Sequence, residues 1–254
     1  MILCLEEDTG LPYRQLRNRV AIARAMGLFN EKSLVLTPFG KLVVKHDIFF
    51  ENIGTLEYCH FLAAGNFFNL VWYDVFNELL VENPPADYQG WMRFFKQKYE
   101  GLYTQASIED HLSKEVRFTI EAYLKNRFRK LDLLAENSSG QIQKRRHVEI
   151  NPLILTAMIC KFMSSKSITL IQVEELVSSK GSPGILYGID GAAFRSHLEM
   201  LHEQNLLRLE TRHGLDQIRI KDGTEPENNL NAFYTGLNPM PSVQDNKDDE
   251  GLLL

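Results

Sequence analysis

The sequence predicts a mainly α-helical fold, with winged-helix-like modules at both ends of a central helical bundle and short β-hairpins. Three observations carry that prediction. Asp47 to Val81 holds no Lys or Arg, and its apolar residues recur at helical spacing on either side of a break at Gly65–Asn66. Such a stretch describes two packed helices meeting at a turn. Pro152 to Ile220 sets out three helical patterns and then a hairpin. Before the centre, a basic helix is followed by a short strand and a second helix start. The expected division is a partial winged-helix-like module at 1–46, a central helical domain at 47–150, a winged-helix domain at 151–221 and an acidic, largely disordered tail at 222–254.

With 254 residues, 44% of them hydrophobic, the chain is long enough to bury a sizeable core. A net charge of −5 argues against a surface that binds polyanions everywhere, so local patches decide that question. Three cysteines (Cys4, Cys59, Cys160) show no paired spacing, which fits reduced thiols and a cytoplasmic protein. The opening MILCLEEDTG is too short and too acidic for a signal peptide. His60, Asn66, Asn69 and Asp74 interrupt the apolar run Tyr58–Phe76, so a buried helix pair is expected there, not a membrane span.

Residues 9–28 are punctuated as a helix. Thr9 or Gly10 can cap it, Pro12 suits its first turn and Gly27 can end it. Leu16, Val20 and Ala23 form its inward stripe, while Arg14, Arg17, Asn18, Ala21 and Arg24 fall opposite. From Leu11 to Asn30 there are four Arg and no acid. A strand-like Leu34–Val35–Leu36 and the restart Thr37–Pro38–Phe39–Gly40–Lys41 complete what looks like the second half of a winged helix-turn-helix, a fold that lays its last helix in the major groove. The competing reading is a solvated Arg face on a surface helix.

Several short runs carry a family resemblance: LTPFGKLV, then DIFFENIGTLEYCHFLAAG, then VWYDVFNELL. They resemble the bacterial domain-of-unknown-function family number four-thousand-and-seven, and the positions that match are Asp47, Glu51, Thr55, Leu56, His60, Trp72, Phe76 and Asn77. The likeness spans most of the chain and weakens at both ends. It implies a setting, phage defence or DNA phosphorothioation beside sulfurtransferase-like enzymes similar to PAPS reductases. It implies no reaction.

Asn83–Pro84–Pro85 breaks the chain before a helix at about 86–101, whose Trp91, Phe94, Phe95 and Tyr99 draw one face. Beside Lys96 and Lys98 those rings suit base stacking, but the single face favours core. One helix is expected over Ser107–Glu136, with Ser107 as cap and Val116, Ile120, Tyr123, Leu124, Phe128 and Leu131 inward. Over 125–147, Lys125, Arg127, Arg129, Lys130, Lys144, Arg145 and Arg146 stand against Asp132 and Glu136. A basic helix end plus a basic loop can grip phosphates, and the alternative is favourable charge at a helix C-terminus.

In Pro152–Ile220, Asp190 can cap a helix that carries Phe194, Leu198, Leu201 and Leu206 inward, and Leu207–Leu209 pairs with Gln217–Ile220 around His213–Gly214. The outward residues Arg195, Ser196, Glu199, His202 and Glu203 include two acids, which favours protein contact over DNA, with Arg212 and Arg219 on the wing as weaker DNA candidates. From Asp222 onward seven acids face Lys247 alone. An acidic tail of this kind can also compete with DNA for a basic surface.

No P-loop, dinucleotide fingerprint, nucleophile elbow or HExxH motif is present. Glu57-x-x-His60 and Glu199-x-x-His202 have carboxylate-bundle spacing without spare acids to complete a site, so no metal, cofactor or catalytic residue is assigned. His60 is expected as a hydrogen-bonded core histidine and Asn77 as a backbone tie at the helix junction. The functional expectation is a non-enzymatic accessory or regulator that binds double-stranded DNA through Arg14, Arg17, Asn18, Arg24, Lys125, Arg127, Arg129, Lys130, Lys144, Arg145, Arg146 and Arg212. Arg14, Arg17 and Asn18 are best placed to reach base edges. The alternatives are an adaptor that docks a PAPS-reductase-like enzyme, and an enzyme whose site carries no known motif. A homodimer is compatible with each.

Overall fold

The computed structural model describes residues 9–212, 215–221 and 223–237. Among them the chain is mainly helical, with one two-stranded and one three-stranded antiparallel sheet.

Helix α1 (Tyr13–Ala25) leans on the core through Leu16 and Val20. Its exit is closed by Thr37, whose side chain donates to the Gly27 carbonyl (2.6 Å) and accepts from the Gly40 amide (2.9 Å), capping α2 (Pro38–His46). A Cβ at Gly40 would sit 2.1 Å from the Leu28 carbonyl oxygen, which accounts for the glycine in the TPFG restart. The strand expected at Leu34–Leu36 is one isolated bridge between Phe29 and Leu36, because Asn30 and Val35 close the intervening residues into a short loop.

Two helices form the interior. α3 (Ile53–Gly65) and α7 (Pro152–Ser165) are buried on nearly all sides, so apolar residues cover most of their circumference, with Thr55, Glu57 and His60 the buried polar groups on α3. Asp47 prepares α3 by accepting from the Glu51 and Asn52 amides, and Asn52 then caps it. α4 begins as Leu70–Asp74, widens to a π turn over Val75–Leu79 and ends as Leu80–Glu82. The widened turn holds Asn77, which donates to Ala64 O and Tyr73 O and accepts from Gly181 N, tying α3 to the 179–182 loop. That is the backbone tie expected of it. α5 (Tyr88–Lys98) buries Trp91, Phe95 and the following Tyr99, so this aromatic face is core.

The helix expected over 107–136 is shorter. α6 runs as Gln105–Ser107, a π turn over Ile108–Leu112, and Ser113–Leu124. A 3₁₀ turn (Arg127–Leu131) follows and ends at Asp132 in the left-handed region (φ 49°). β1 (Leu134–Glu136) and β2 (Ile142–Lys144) then pair across a loop nucleated by Asn137, whose side chain accepts from Ser139 N and Gln141 N. Local Asx bonding there outcompetes helical continuation.

After α7 come β3 (Leu170–Gln172), α8 (Val173–Ser178), α9 (Pro183–Tyr187), α10 (Gly191–Glu203), β4 (Arg208–Arg212) and β5 (Leu215–Arg219), with strand order β3-β5-β4. The hairpin tip at 213–214 lies outside the described residues. The 222–254 division, whose disorder is expected after about Asn238, opens with a helix, α11 (Pro226–Thr235), packed on α7 and α2. A Cβ at Gly54 would fall 2.4 Å from Phe233, and Thr55 bonds Tyr234 (2.7 Å), so the GT of the central run is a landing site for α11. Residues 238–254, where the rest of the tail was placed, lie outside the described residues. The apolar core is one connected cluster from Phe39 to Leu230, drawn from both sides of the boundaries at 46/47 and 150/151.

Candidate nucleic-acid interface

α1 leaves Arg14, Arg17, Asn18 and Arg19 exposed, while Arg24 is half-buried. Arg14, Arg17, Asn18 and Ala21 form one wall of a groove of about 580 Å³. Leu70, Val71 and Trp72 of α4 form the floor, and His111, Lys114, Glu115 and Phe118 of α6 form the far wall. Phe68 stands at the mouth, 85% exposed. Among the described residues no carboxylate lies within ion-pair distance of Arg14 or Arg17, although Asp110, whose pKa is lowered chiefly by Lys114, is near enough for the charge of Arg14 to help lower it. Lys114 pairs with Asp110, one turn back and outside the groove lining. An apolar cleft of about 270 Å³, lined by Tyr99, Tyr103 and Ile108, adjoins the groove and shares His111 and Glu115 with it.

The floor is held rigid from beneath. Trp72 Nε1 donates to the Tyr123 hydroxyl (2.7 Å), which meets His60 Nδ1 at 2.6 Å, while His60 Nε2 faces the Leu186 carbonyl at 3.4 Å. Indole donates only and a carbonyl accepts only, so the chain runs Trp72 to Tyr123 to His60 to Leu186, with the imidazole proton on Nε2. Burial pushes the His60 pKa down to about 3, so the ring is neutral. His60 is therefore the bonded core histidine expected of it, and the family positions Trp72 and His60 are links in one buried relay.

A second buried polar group lies on α3. Glu57 is fully buried, and its Oε1 meets His147 Nε2 at 2.8 Å while its Oε2 has no partner among the described residues. The acids Asp74 and Glu78 share Lys98; Asp74 also accepts from Tyr99, and Glu78 pairs with Lys180. Cys59 and Cys160 are buried free thiols, and burial pushes Cys160 up to about 12, the direction of an inert sulfur.

The remaining basic residues singled out from sequence lie apart from the groove. Arg24 sits ten positions from Arg14, roughly 80° round the helix, and turns to the Ser33 carbonyl with its Nε buried. Arg127 and Lys130 both pair with Glu51 (2.7 Å each), Arg145 with Asp132 (2.8 Å), Arg146 with Asp190 (2.7 Å) and Lys125 with Glu121 (3.7 Å). Arg129 is exposed. Lys144 points inward, its ammonium donating to Ile185 O (2.5 Å) and Phe76 O (3.4 Å), and burial lowers its pKa to about 8. Its place in β2 puts alternate side chains on opposite faces, so Lys144 enters the core where Arg145 leaves it. The side chain of Arg212 lies outside the described residues.

Sequence reasoning missed Phe68, Lys114, His111 and Phe118 as site residues. The one available signal was Phe67–Phe68 between Asn66 and Asn69, two aromatics in a turn where burial is hard to arrange.

Fold and site together define a mainly helical protein with a cationic, aromatic-lined groove on one side and two small antiparallel sheets. The chain belongs to the family described as protein of unknown function (DUF4007), whose model matches residues 22–234. It is similar to the solved structure titled "Magnesium ion-bound SspB crystal structure", with a TM-score of 0.72 and 16% identity over 93% of this chain and 80% of that one. It is also similar to "SspB crystal structure", with a TM-score of 0.68 and 16% identity over the same shares. At that identity the likeness speaks to fold alone. No curated protein matches the chain. Among the described residues no three His, Cys, Asp or Glu side chains gather as metal ligands, and the Asp74–Glu78 pair is already bridged by the Lys98 ammonium. No described helix is long and apolar enough to cross a membrane.

Proposed function

We propose that this protein is a DNA-binding accessory or regulatory protein of a bacterial phage-defence or DNA-modification system, gripping the sugar–phosphate backbone at the α1 groove. The observation that carries the reading is the placement of Arg14, Arg17 and Asn18 on one wall, with no carboxylate clamped on either arginine among the described residues; Lys114, opposite, is already paired with Asp110. Guanidinium groups left in that state are available to phosphates. The 152–219 segment supports a winged-helix reading of its own, since it runs helix, strand, helices, hairpin with strand order β3-β5-β4. On its α10 face Arg195 is tied to Glu199 and Asp216, and Arg219 to Glu210, which favours protein contact there over DNA. The defence setting is what the family resemblance implies.

A salt titration of duplex affinity tests the reading. Affinity falls steeply between about 50 and 200 mM salt, and Arg14→Ala with Arg17→Ala lowers the log–log slope by about 2, close to 0.9 per phosphate contact. Absence of binding at low salt, or an unchanged slope in the double variant, overturns it.

A second reading, an adaptor that docks a PAPS-reductase-like enzyme, draws on a different surface. Val44, Ile48, Phe49 and Ile53 are exposed around the α2–α3 turn, Phe49 by 73%. Nuclease-resistant co-purification with such an enzyme, lost in Phe49→Ser, supports it.

A further inference from the structure

Phe67 and Phe68 occupy the turn between α3 and α4 and are 61% and 85% exposed. The turn is built to hold them there. Asn66 Oδ1 accepts from Phe68 N (3.0 Å), Asn66 O accepts from Asn69 N (2.9 Å), and Asn69 Nδ2 donates to Ala63 O (3.0 Å). Phe67 rests edge-on against Tyr73 at 5.5 Å, whereas Phe68 opens onto the groove shared with Arg14 and Arg17. Across the groove Phe118 is also 38% exposed and stands edge-on to Trp72 at 6.2 Å.

Fixing a large apolar ring in water at a rigid turn brings the fold no burial. An arginine wall beside an exposed ring face matches a ligand that is anionic along its chain and flat along its side. Phosphate alone explains the arginines and leaves the rings idle; an apolar peptide explains the rings and leaves the guanidiniums idle. A strand of DNA with its bases unstacked uses both. The groove volume of about 580 Å³ falls inside the roughly 300–1,000 Å³ of sites that enclose a small molecule, so it has room for a base and its sugar.

We propose that Phe68 is a stacking platform for an unpaired nucleobase whose flanking phosphates lie on Arg14 and Arg17. The proposal rests on the DNA-binding reading above and specifies which part of the DNA enters the groove. The base comes either from a strand already single or from a duplex position that opens.

Anisotropy with the full chain tests this, using four probes: a labelled single strand, an abasic sugar–phosphate strand of equal length, a paired duplex and the same duplex with one mismatch. Phe68→Ala and Phe68→Leu weaken single-strand binding roughly 5- to 150-fold, the span of base–aromatic stacking. Phe68→Trp restores it, and the abasic strand binds all four proteins equally. Phe68-dependent preference for the mismatched duplex assigns the base to an opened pair, and equal duplex affinities assign it to a single strand; either result supports the platform. If Phe68→Ala and Phe68→Leu bind the base-bearing strand as the parent does, or lose the abasic strand equally, the platform is overturned while salt-sensitive DNA binding stands. If the parent protein binds none of the probes at low salt, both readings fall together.

Discussion

Two stretches of this chain have similar charge on paper and different fates in the fold. Leu11–Asn30 carries four arginines and no acid, and 125–147 carries seven basic residues against two acids. In the first, Arg14 and Arg17 line a groove with no carboxylate at ion-pair distance among the described residues. In the second, cation after cation meets an acid: Glu51 and Asp190 from elsewhere in the chain and Asp132 from the segment itself each take at least one. The pairs are mostly solvent-exposed, and exposed pairs are individually weak, so they do not lock the segment. What they do is lower its field, since each neighbouring carboxylate cancels charge that a phosphate would feel. A run of Lys and Arg therefore reports how much positive charge is present and not how much is left over.

The comparison breaks most directly by exchanging the two regions in one assay. Arg14→Ala with Arg17→Ala is expected to flatten the salt dependence of DNA affinity, whereas Arg145→Ala with Arg146→Ala leaves the slope near that of the parent. The reverse ranking would return the DNA surface to 125–147. Lys144 sharpens the contrast next. Lys144→Met strands the Ile185 and Phe76 carbonyls, and chemical denaturation should show a loss of about 1–3 kcal/mol with DNA affinity unchanged.

The same variant carries a pH signature. The Lys144 pKa is held at about 8 in the fold against an ordinary 10.5, so between those values the unfolded chain binds more protons. Stability from this group therefore rises with pH from about 8 toward 10, and below 8 it contributes no slope. Above 10 the buried phenols of Tyr123 and Tyr187, whose pKa values are raised by burial, impose the opposite trend. Subtracting the Lys144→Met curve from that of the parent isolates the rise, and a flat difference between pH 8 and 10 would place the ammonium in water. The smallest effect belongs to Glu51→Ala. It frees Arg127 and Lys130 with little change in Tm, and is expected to steepen the salt dependence slightly.

Much of the helical framework was legible in sequence because it rests on local rules. The period of apolar residues marked α3, α5 and α7, and the cap at Asp190 and the loop at Asn83–Pro85 fell where turn chemistry puts them. His60 and Asn77 were legible as buried polar groups in need of partners. The hairpin β1–β2 was not, since Asn137 decides it by side-chain bonds that compete with a helix of adequate propensity. α11 was hidden by its acidic, Asn-rich composition, and it forms because Gly54 and Thr55, far away in the chain, give it a surface to pack on.

By itself, the sequence determined the helical class, the enclosed central pair, the chemistry available at Arg14, Arg17 and Asn18, and membership of a family through a run of residues that turn out to be caps, ties and a buried relay. Only tertiary structure decided which cations kept their charge to themselves, that Lys144 turned inward, and that two aromatic rings from α4's approach and α6 stand across from the α1 arginines. Periodicity and capping act within a few residues and leave their mark in order along the chain. Ion pairing and groove formation join residues about a hundred positions apart, as Arg17 and Lys114 show, and no local pattern encodes them.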